Sequence, residues 1–349
     1  MQIESEIKLD FNDVLIKPKR SQAISRSDVD LKRNYRFLNC NSNIEFDVGC
    51  PIIAANMDAI GTFSMARVLS KFDVWTALHK FYKVDEIQRF YTEELDVAKR
   101  VFYSTGTNEQ DLEKLKTISD LHIELKFICI DVANGYTQKF VDKCKQIREW
   151  FPDSVLLAGN VCTAEMVQEL LIAGKIDIVK IGIGSGKSCI TRHITGVGYP
   201  QLSAIIECAD AAHGLGGHIC ADGGCRTPGD IAKSFAAGAD FSMIGGMFAG
   251  HIECDGDFTY DENGNKIGMI FYGMSSDTAM IKHHGGKAVY RASEGATMKV
   301  PFKGSISQTI EQILGGLRST CTYVGTNKLK DISKCTTFVK TNRVHDMNL

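Results

Sequence analysis

Eight short apolar runs recur along this chain of 349 residues, and each is bounded by Gly, Asp or Asn. They occupy residues 51–56, 74–79, 101–106, 126–131, 155–160, 177–182, 217–222 and 240–245. Near-continuous apolar runs are typical of strands buried on both faces of a parallel sheet. Amphipathic stretches separate them, with apolar residues at three- and four-residue spacing as in helices. Eight strand–helix units predict an α/β fold, a single (β/α)8 TIM barrel. A doubly wound sheet, which usually has nearer six strands, is the alternative.

Polar or glycine residues stand at the carboxyl-terminal ends of these runs or just beyond them. They are Asn56, His79, Asp131, Asn134, Asn160, Gly184, Cys189, Asp222 and Gly245. Turns commonly use Asp, Asn and Gly for conformational reasons alone. In a barrel, however, the active site is built from the loops that follow the strands. We therefore expect a functional site at this end of the barrel.

After the eighth run, the dipeptide Asn263–Gly264 lies between alternating segments and predicts a β-hairpin. The glycine-rich stretch 272–295 is typical of a mobile loop over a barrel mouth, and His283–His284 within it is expected to be solvated. Residues 1–349 are predicted to form one barrel domain, with an N-terminal arm over about 1–48. The C-terminal tail, about 324–349, carries lysines and no clear core pattern.

Composition excludes several classes of partner. The net charge of −2 argues against a nucleic-acid partner bound through its phosphates. No apolar run approaches the roughly 18 residues that cross a bilayer, so no membrane partner is expected. The N-terminus lacks the basic-then-apolar order of a secretory signal. Cysteines inside apolar runs, such as Cys129 and Cys220, are typical of reduced thiols and favour a cytoplasmic location.

A cysteine lies inside a glycine-rich loop, Gly182–Arg192, directly after the sixth run. Glycine lets a backbone approach a ligand closely, so Cys189 in this loop is a candidate covalent nucleophile. A tight turn with a buried thiol is the alternative. The loop nearly matches a phosphate-binding P-loop, but it is one residue short between the glycines.

Two further glycine loops follow the seventh and eighth runs. They are Asp222–Gly223–Gly224 and Gly245–Gly246. In barrels these two positions commonly bind phosphate through backbone amides. Two tight turns would give the same residues, but the phosphate interpretation is favoured. The substrate is then a phosphorylated small molecule, with Asp222 available to hold ribose hydroxyls.

Several longer motifs together resemble the IMP dehydrogenase/GMP reductase family, and within it the reductases. They lie at residues 9–19, 55–58, 182–201, 222–224, 271–276, 290–295 and 314–323. The stretch Lys80–Arg100, between the second and third runs, is too short for the regulatory domains of the dehydrogenases. The loop at 291–295 reads Arg–Ala–Ser–Glu–Gly, as in reductases, and lacks the Arg–Tyr pair with which dehydrogenases activate water.

The resemblance implies NADPH-dependent reductive deamination of GMP to IMP with release of ammonia, a step in purine salvage. Cys189 would attack C2 of the purine, and Thr191 and Glu294 would assist proton transfer to the leaving ammonia. The resulting thioimidate would accept a hydride and release the thiol. By itself Glu294 looks like an ordinary solvated glutamate. A homotetramer is also implied.

The resemblance also implies which residues bind ligands, because the family's binding residues correspond to matching positions in this chain. GMP or IMP would contact Asp222, Gly223, Gly224, Gly245, Gly246, Met274, Ser275, Arg291, Ser293 and Gly295. NADPH would contact Lys80, Asp131, Val132, Ala133, Ile183 and Gly184, with Ser25 and Arg26 reaching a neighbouring subunit. A potassium ion would be held by carbonyl groups of Gly184, Gly186 and Cys189, with Arg192 nearby.

Three residues depart from the family's catalytic loop: Ser185 replaces a proline, Lys187 a serine and Ile190 a threonine. We expect Ser185 to loosen the loop and to weaken cation binding. Lys187 would contribute a charge to phosphate binding in place of a hydroxyl. Two alternative functions stay open: an IMP dehydrogenase without its regulatory insert, and a purine-nucleotide sensor that does not turn over.

Overall fold

The computed structural model describes residues 2–21, 25–41, 46–286 and 292–341, without the side chain of His284. The strands are β1 (Val14–Ile16), β2 (Arg33–Tyr35), β3 (Phe46–Gly49), β4 (Ile52–Ala54), β5 (Trp75–Ala77), β6 (Val101–Thr105), β7 (Phe127–Asp131), β8 (Val155–Val161), β9 (Ile178–Ile181), β10 (His218–Asp222), β11 (Phe241–Ile244), β12 (Phe258–Tyr260), β13 (Lys266–Tyr272), β14 (Thr297–Pro301) and β15 (Phe338–Lys340).

The α-helices are α1 (Phe63–Leu69), α2 (Val84–Glu93), α3 (Leu95–Ala98), α4 (Glu109–Asp120), α5 (Gln138–Trp150), α6 (Ala164–Ile172), α7 (Thr191–Thr195), α8 (Gln201–Gly214), α9 (Pro228–Ala236), α10 (Asp277–His284), α11 (Ile306–Val324) and α12 (Ile332–Cys335). Short 3-10 helices occupy Phe11–Asp13, Arg26–Asp28, Ser70–Phe72 and Leu329–Asp331. None of these helices has both the length and the apolar character that a membrane crossing requires.

Strands β4 to β11 form a closed barrel in chain order, and β11 pairs with β4 to close it. All the pairings are parallel, for example Ile244 beside Ala54 at the closure and Asp131 beside Gly159 between β7 and β8. Each of the eight runs identified in the sequence overlaps one barrel strand. The (β/α)8 barrel is therefore confirmed, and the doubly wound sheet is excluded.

Side-chain caps fix where several of the surrounding helices begin. Asn108 accepts a hydrogen bond from the Asp111 amide at α4, and Thr137 does the same for the Phe140 amide at α5. These oxygens satisfy amides that have no partner inside the first helical turn. The apolar faces of the capped helices then pack on the barrel.

The interior of the barrel is filled with large side chains, including Trp75, Phe102 and Phe127. The hairpin of β2 and β3 packs against the amino-terminal end of this core, where the Trp75 indole donates to the Val48 carbonyl. The barrel is thus packed through its centre and closed at its amino-terminal end. Its carboxyl-terminal end is left to carry the site.

The hairpin predicted at Asn263–Gly264 is confirmed: β12 and β13 pair antiparallel, and Gly264 has a φ of 79°. β14 joins β13 to make a three-stranded sheet, and α10 lies between β13 and β14 in the chain. The prediction of a solvated His283 is wrong, because His283 belongs to α10 and its side chain is only 11% exposed.

The two ends of the described chain meet, because β1 pairs antiparallel with β15. The tail is not free of core residues as its composition suggested: Leu329 and Ile332 are buried against α9 and α11. The domain boundaries proposed for the arm and the tail stay predictions.

Candidate active site

The loop that carries Cys189 follows β9 and makes very close contacts with its neighbours. Gly182 has a φ of 148°, and a Cβ there would collide with the Asp222 carbonyl oxygen. Only glycine permits this approach. The loop leads into α7, a helix of five residues that is too short for a P-loop, in agreement with the spacing.

Three side chains form a hydrogen-bonded chain at the end of this loop. The half-buried Cys189 thiol donates to Thr191 Oγ1 at 3.2 Å, and the Thr191 hydroxyl donates to Glu294 Oε2 at 2.7 Å. The structure thus brings the three predicted catalytic residues together. A thiol linked through a hydroxyl to a carboxylate has a direct route for a proton.

The backbone holds Glu294 in place. Its carbonyl accepts from the Ile190 amide at 2.8 Å, and its amide donates to the Ser275 carbonyl at 3.2 Å. The Ala296 amide also donates to the Ser188 carbonyl at 2.8 Å. Residues 294–296 therefore lie between the cysteine loop and the turn after β13. Glu294, which by itself looked like a solvated glutamate, is therefore part of the site.

The cleft around Cys189 opens at the carboxyl-terminal end of the barrel. Among the predicted residues, its lining contains Asp131, Val132, Ala133, Ile183, Gly184, Gly186, Cys189, Thr191, Asp222, Gly223, Gly224, Gly245, Gly246, Met274, Ser275, Glu294 and Gly295. Most of the predicted substrate residues and most of the predicted cofactor residues therefore share one continuous cleft with the thiol.

Besides Arg192, four predicted residues that the structure describes do not line this cleft. Lys80 instead forms an ion pair with Asp111 at 2.6 Å. Ser293 accepts from the Asp277 amide at 3.2 Å and donates to the Gly295 carbonyl at 3.1 Å, so it holds the loop of Glu294. Arg26 begins the 3-10 helix Arg26–Asp28, which packs against α11, and Ser25 caps that helix by accepting from the Ser27 amide. Arg291 lies outside the described residues.

The residues that differ from the family's catalytic loop make specific contacts. The Ser185 hydroxyl donates to the Asp222 carbonyl at 2.8 Å and ties the loop to β10, and the expected looser loop stays a prediction. Lys187 lies across the glycine pair after β11: a Cβ on Gly246 would be 3.0 Å from Lys187 Cδ. A lysine charge is therefore adjacent to the predicted phosphate loops.

One of the three predicted potassium donors already has a hydrogen-bond partner, and an arginine packs on a second. The Gly186 carbonyl accepts from the Cys189 amide at 3.1 Å. The Arg192 side chain packs against Gly184, and its guanidinium donates to Asp10 at 3.0 Å and to the Tyr199 carbonyl at 2.5 Å. A guanidinium against the loop disfavours a second cation there. This arrangement does not fit the predicted ion.

A buried charged network that the sequence analysis did not identify lies on the floor of the cleft. Lys180 Nζ is 2.6 Å from Asp131 Oδ1 and 2.7 Å from Asp222 Oδ2. Asn56 donates to Asp131 at 3.0 Å, and Asn160 donates to Asp222 at 3.0 Å. The signal was present in the sequence, because a lysine inside an apolar strand is rarely buried without a partner.

The charges in this network stabilise one another. Burial disfavours the ammonium, but the carboxylates of Asp131 and Asp222 outweigh burial and raise the pKa of Lys180 well above its ordinary value. Burial likewise opposes ionisation of Asp131, yet the charge of Lys180 holds the pKa of that carboxyl below its ordinary range. Asp131 is therefore an ionised hydrogen-bond acceptor at neutral pH.

A second missed cluster joins α10 to the barrel. Asp58, 5% exposed, accepts from Tyr272 at 2.6 Å, from Lys282 at 3.2 Å and from His283 at 2.7 Å. The His283 ring also stacks on Phe81, with centroids 3.5 Å apart. These contacts fix the helix that immediately follows the cleft residues Met274 and Ser275.

Comparison with known protein families agrees with this geometry. The model of the IMP dehydrogenase / GMP reductase domain matches residues 8–345. The chain is 54% identical over 345 residues to GMP reductase 1 of Homo sapiens, which covers 99% of this chain and 98% of that protein. It is 57% identical over 341 residues to GMP reductase of Edwardsiella ictaluri (strain 93-146), with 97% and 96% covered. The chain belongs to the IMP dehydrogenase/GMP reductase family.

Proposed function

We propose that this chain is a GMP reductase, which converts GMP to IMP and ammonia with NADPH. The hydrogen-bonded chain Cys189–Thr191–Glu294 inside the cleft carries the proposal, because it combines a nucleophile with a proton route. The names of the relatives, GMP reductase in both human and bacterial proteins, support the same reaction.

In this mechanism Cys189 forms a bond from sulfur to C2 of the guanine ring. The thiol proton moves by way of Thr191 to the Glu294 carboxylate, and the same groups return a proton to the 2-amino group. The C2–N bond breaks and ammonia leaves, so the product of this half-reaction is a thioimidate on Cys189. Hydride addition at C2 and cleavage of the C2–S bond then release IMP and the thiolate.

The nucleotide would bind along the loops after β10 and β11. The residues that would hold GMP are Asp222, Gly223, Gly224, Gly245, Gly246, Met274, Ser275 and Gly295, all in the cleft. Arg291 and Ser293 belong to the same proposal. Lys187 lies over Gly246 and supplies positive charge where the phosphate would bind.

The residues present also fit a nicotinamide cofactor, because the cleft runs without interruption from Cys189 to Asp131, Val132 and Ala133. NADPH would supply the hydride. Asp131 would accept hydrogen bonds from it, and its low pKa keeps that acceptor ionised. Lys80, Ser25 and Arg26 remain proposed contacts, the latter two across a subunit boundary in a homotetramer. None of these steps requires potassium.

One assay separates the proposed function from its alternatives. GMP with NADPH, and separately IMP with NAD⁺, are mixed with the protein while cofactor absorbance is followed. Oxidation of NADPH that depends on GMP supports the reductase, whereas reduction of NAD⁺ that depends on IMP identifies a dehydrogenase. Binding of GMP without cofactor oxidation, unchanged in Cys189→Ala, identifies a sensor. The role in purine salvage and the cytoplasmic location follow from the reductase assignment and are proposed with it.

A further inference from the structure

Lys180 touches both halves of the cleft at once. Its ammonium lies between Asp222, on the proposed nucleotide side, and Asp131, on the proposed cofactor side, at 2.7 and 2.6 Å. Its own side chain is only 3% exposed, whereas the side chains of Asp131 and Asp222 are 35% and 22% exposed. The lysine is therefore beneath the cleft, and the two carboxylates reach into it.

From this geometry we propose that Lys180 is a positioning residue shared by the two binding sites, which holds the carboxylates of Asp131 and Asp222 in place as hydrogen-bond acceptors for GMP and NADPH. The inference rests on the proposed function, since it takes the two ligands from there. Without Lys180, the two carboxylates would face each other with no ammonium between them. The distance from Asp131 Oδ1 to Asp222 Oδ2 cannot exceed the sum of their two distances from Lys180 Nζ.

Hydrogen bonding determines which carboxylate oxygens remain available. Lys180 and Asn160 both donate to Asp222 Oδ2, which leaves Oδ1 for a ligand. Lys180 and Asn56 bind different oxygens of Asp131 and so hold its carboxylate plane in one orientation. A ligand then meets acceptors that need no reorganisation, which preserves binding free energy.

The surroundings of Lys180 make the charge argument specific. The titratable groups whose charges interact with Lys180 are Asp131, Asp222 and Cys129. Lys180 also interacts electrostatically with Cys220, and Lys80 interacts in the same way with Asp131. Burial raises the pKa of the Cys129 thiol to about 12, and that of Cys220 is also raised, so neither thiol supplies charge at neutral pH. The two carboxylates are thus balanced chiefly by the one ammonium.

The test compares Lys180→Met with wild type in calorimetric titrations of GMP alone and of NADP⁺ alone, which involve no turnover. We expect both affinities to fall by roughly 10- to 100-fold, as for lost hydrogen bonds to charged groups. As the pH is lowered, the remaining ligand affinity of the variant should begin to decrease at a higher pH than that of wild type. The reason is that two adjacent carboxylates without a cation between them share a proton. Lys180→Arg, which keeps the charge, should recover part of both affinities.

Lys233→Met is the matched control, because Lys233 is also a buried lysine, 8% exposed, that donates to the Phe11 carbonyl at 2.8 Å outside the barrel. It should lower stability without changing either affinity. If Lys180→Met does not fold, Lys180→Gln provides the same comparison. Loss of only one affinity, or of neither, or an unchanged pH profile overturns the inference. Failure of the wild-type protein to bind GMP or NADP⁺ would instead refute the proposed function.

Discussion

Thr191 and Glu294 are 103 positions apart in the chain, yet the Thr191 hydroxyl donates to Glu294 Oε2 at 2.7 Å. The contact exists because backbone hydrogen bonds hold Glu294 in place: its carbonyl accepts from the Ile190 amide, and its amide donates to the Ser275 carbonyl. A carboxylate in a segment that looks solvated in the sequence is thereby linked to the thiol of Cys189.

Breaking this proton route should slow the chemistry more than it weakens binding. For Glu294→Gln and for Thr191→Val we expect kcat with GMP to fall by about 10²- to 10⁴-fold, the usual contribution of general acid–base catalysis. KM should change little, since neither change removes the thiol or the glycine loops. Steady-state kinetics measure both values. Glu165→Gln, at an exposed position on α6, is the control, and a wild-type rate in Glu294→Gln would refute the route.

Lys187 should act on the phosphate through its charge. Lys187→Ser, which restores a hydroxyl, is expected to raise KM for GMP by about 10-fold with kcat nearly unchanged, as for a lost charge-assisted hydrogen bond. KM should also depend less steeply on salt in this variant, because salt screens exposed charges. Kinetics at two ionic strengths check this. Lys145→Ser on the outer face of α5 should match wild type, and so would Lys187→Ser if the lysine had no phosphate role.

Removal of His283 should loosen α10. His283→Ala loses a hydrogen bond to the buried Asp58 and the stacking on Phe81, so local opening of the helix should become easier by about 1.5–3 kcal/mol. Hydrogen exchange of the amides in 277–284 measures this opening. His213→Ala is a matched control, because His213 pairs with Asp240 at 2.8 Å elsewhere on the barrel. Equal exchange of α10 in both variants would contradict the role given to His283.

Protonation of His79 should lower the free energy of unfolding of the protein in acid. Burial lowers its pKa from 6.5 to about 4, and its ring stacks on Tyr82 at 4.1 Å. Between these two pH values the unfolded chain binds a proton that the folded protein does not, so stability is fully present above pH 6.5 and is lost as the pH falls towards 4. At about 1.4 kcal/mol per pKa unit, the loss reaches about 3 kcal/mol.

Urea unfolding at several pH values across this window tests the effect of His79. His79→Gln should flatten the pH dependence, because glutamine does not titrate, while His193→Gln at an exposed site on α7 should leave it unchanged. A slope in His79→Gln as steep as in wild type would assign the acid sensitivity to other groups.

The sequence by itself determined the barrel and where its site lies. Strands buried on both faces are apolar along most of their length, so eight such runs were visible without any tertiary information. Because parallel strands place all their carboxyl-terminal ends at one edge, the polar residues at those ends could be assigned to one site. The cysteine loop and the two glycine loops were identified in this way, and the family resemblance added Thr191 and Glu294.

Only the tertiary structure decided which charges meet. Lys180 between Asp131 and Asp222, and His283 against Asp58, join segments far apart in the chain, and no local periodicity records such pairs. The same holds for Ser185, whose hydrogen bond to the Asp222 carbonyl could not be read from its substitution for proline. Buried strands require apolar residues, and this pattern is visible in the sequence. Hydrogen bonds between side chains far apart in the chain depend on distances that exist only once the barrel has closed.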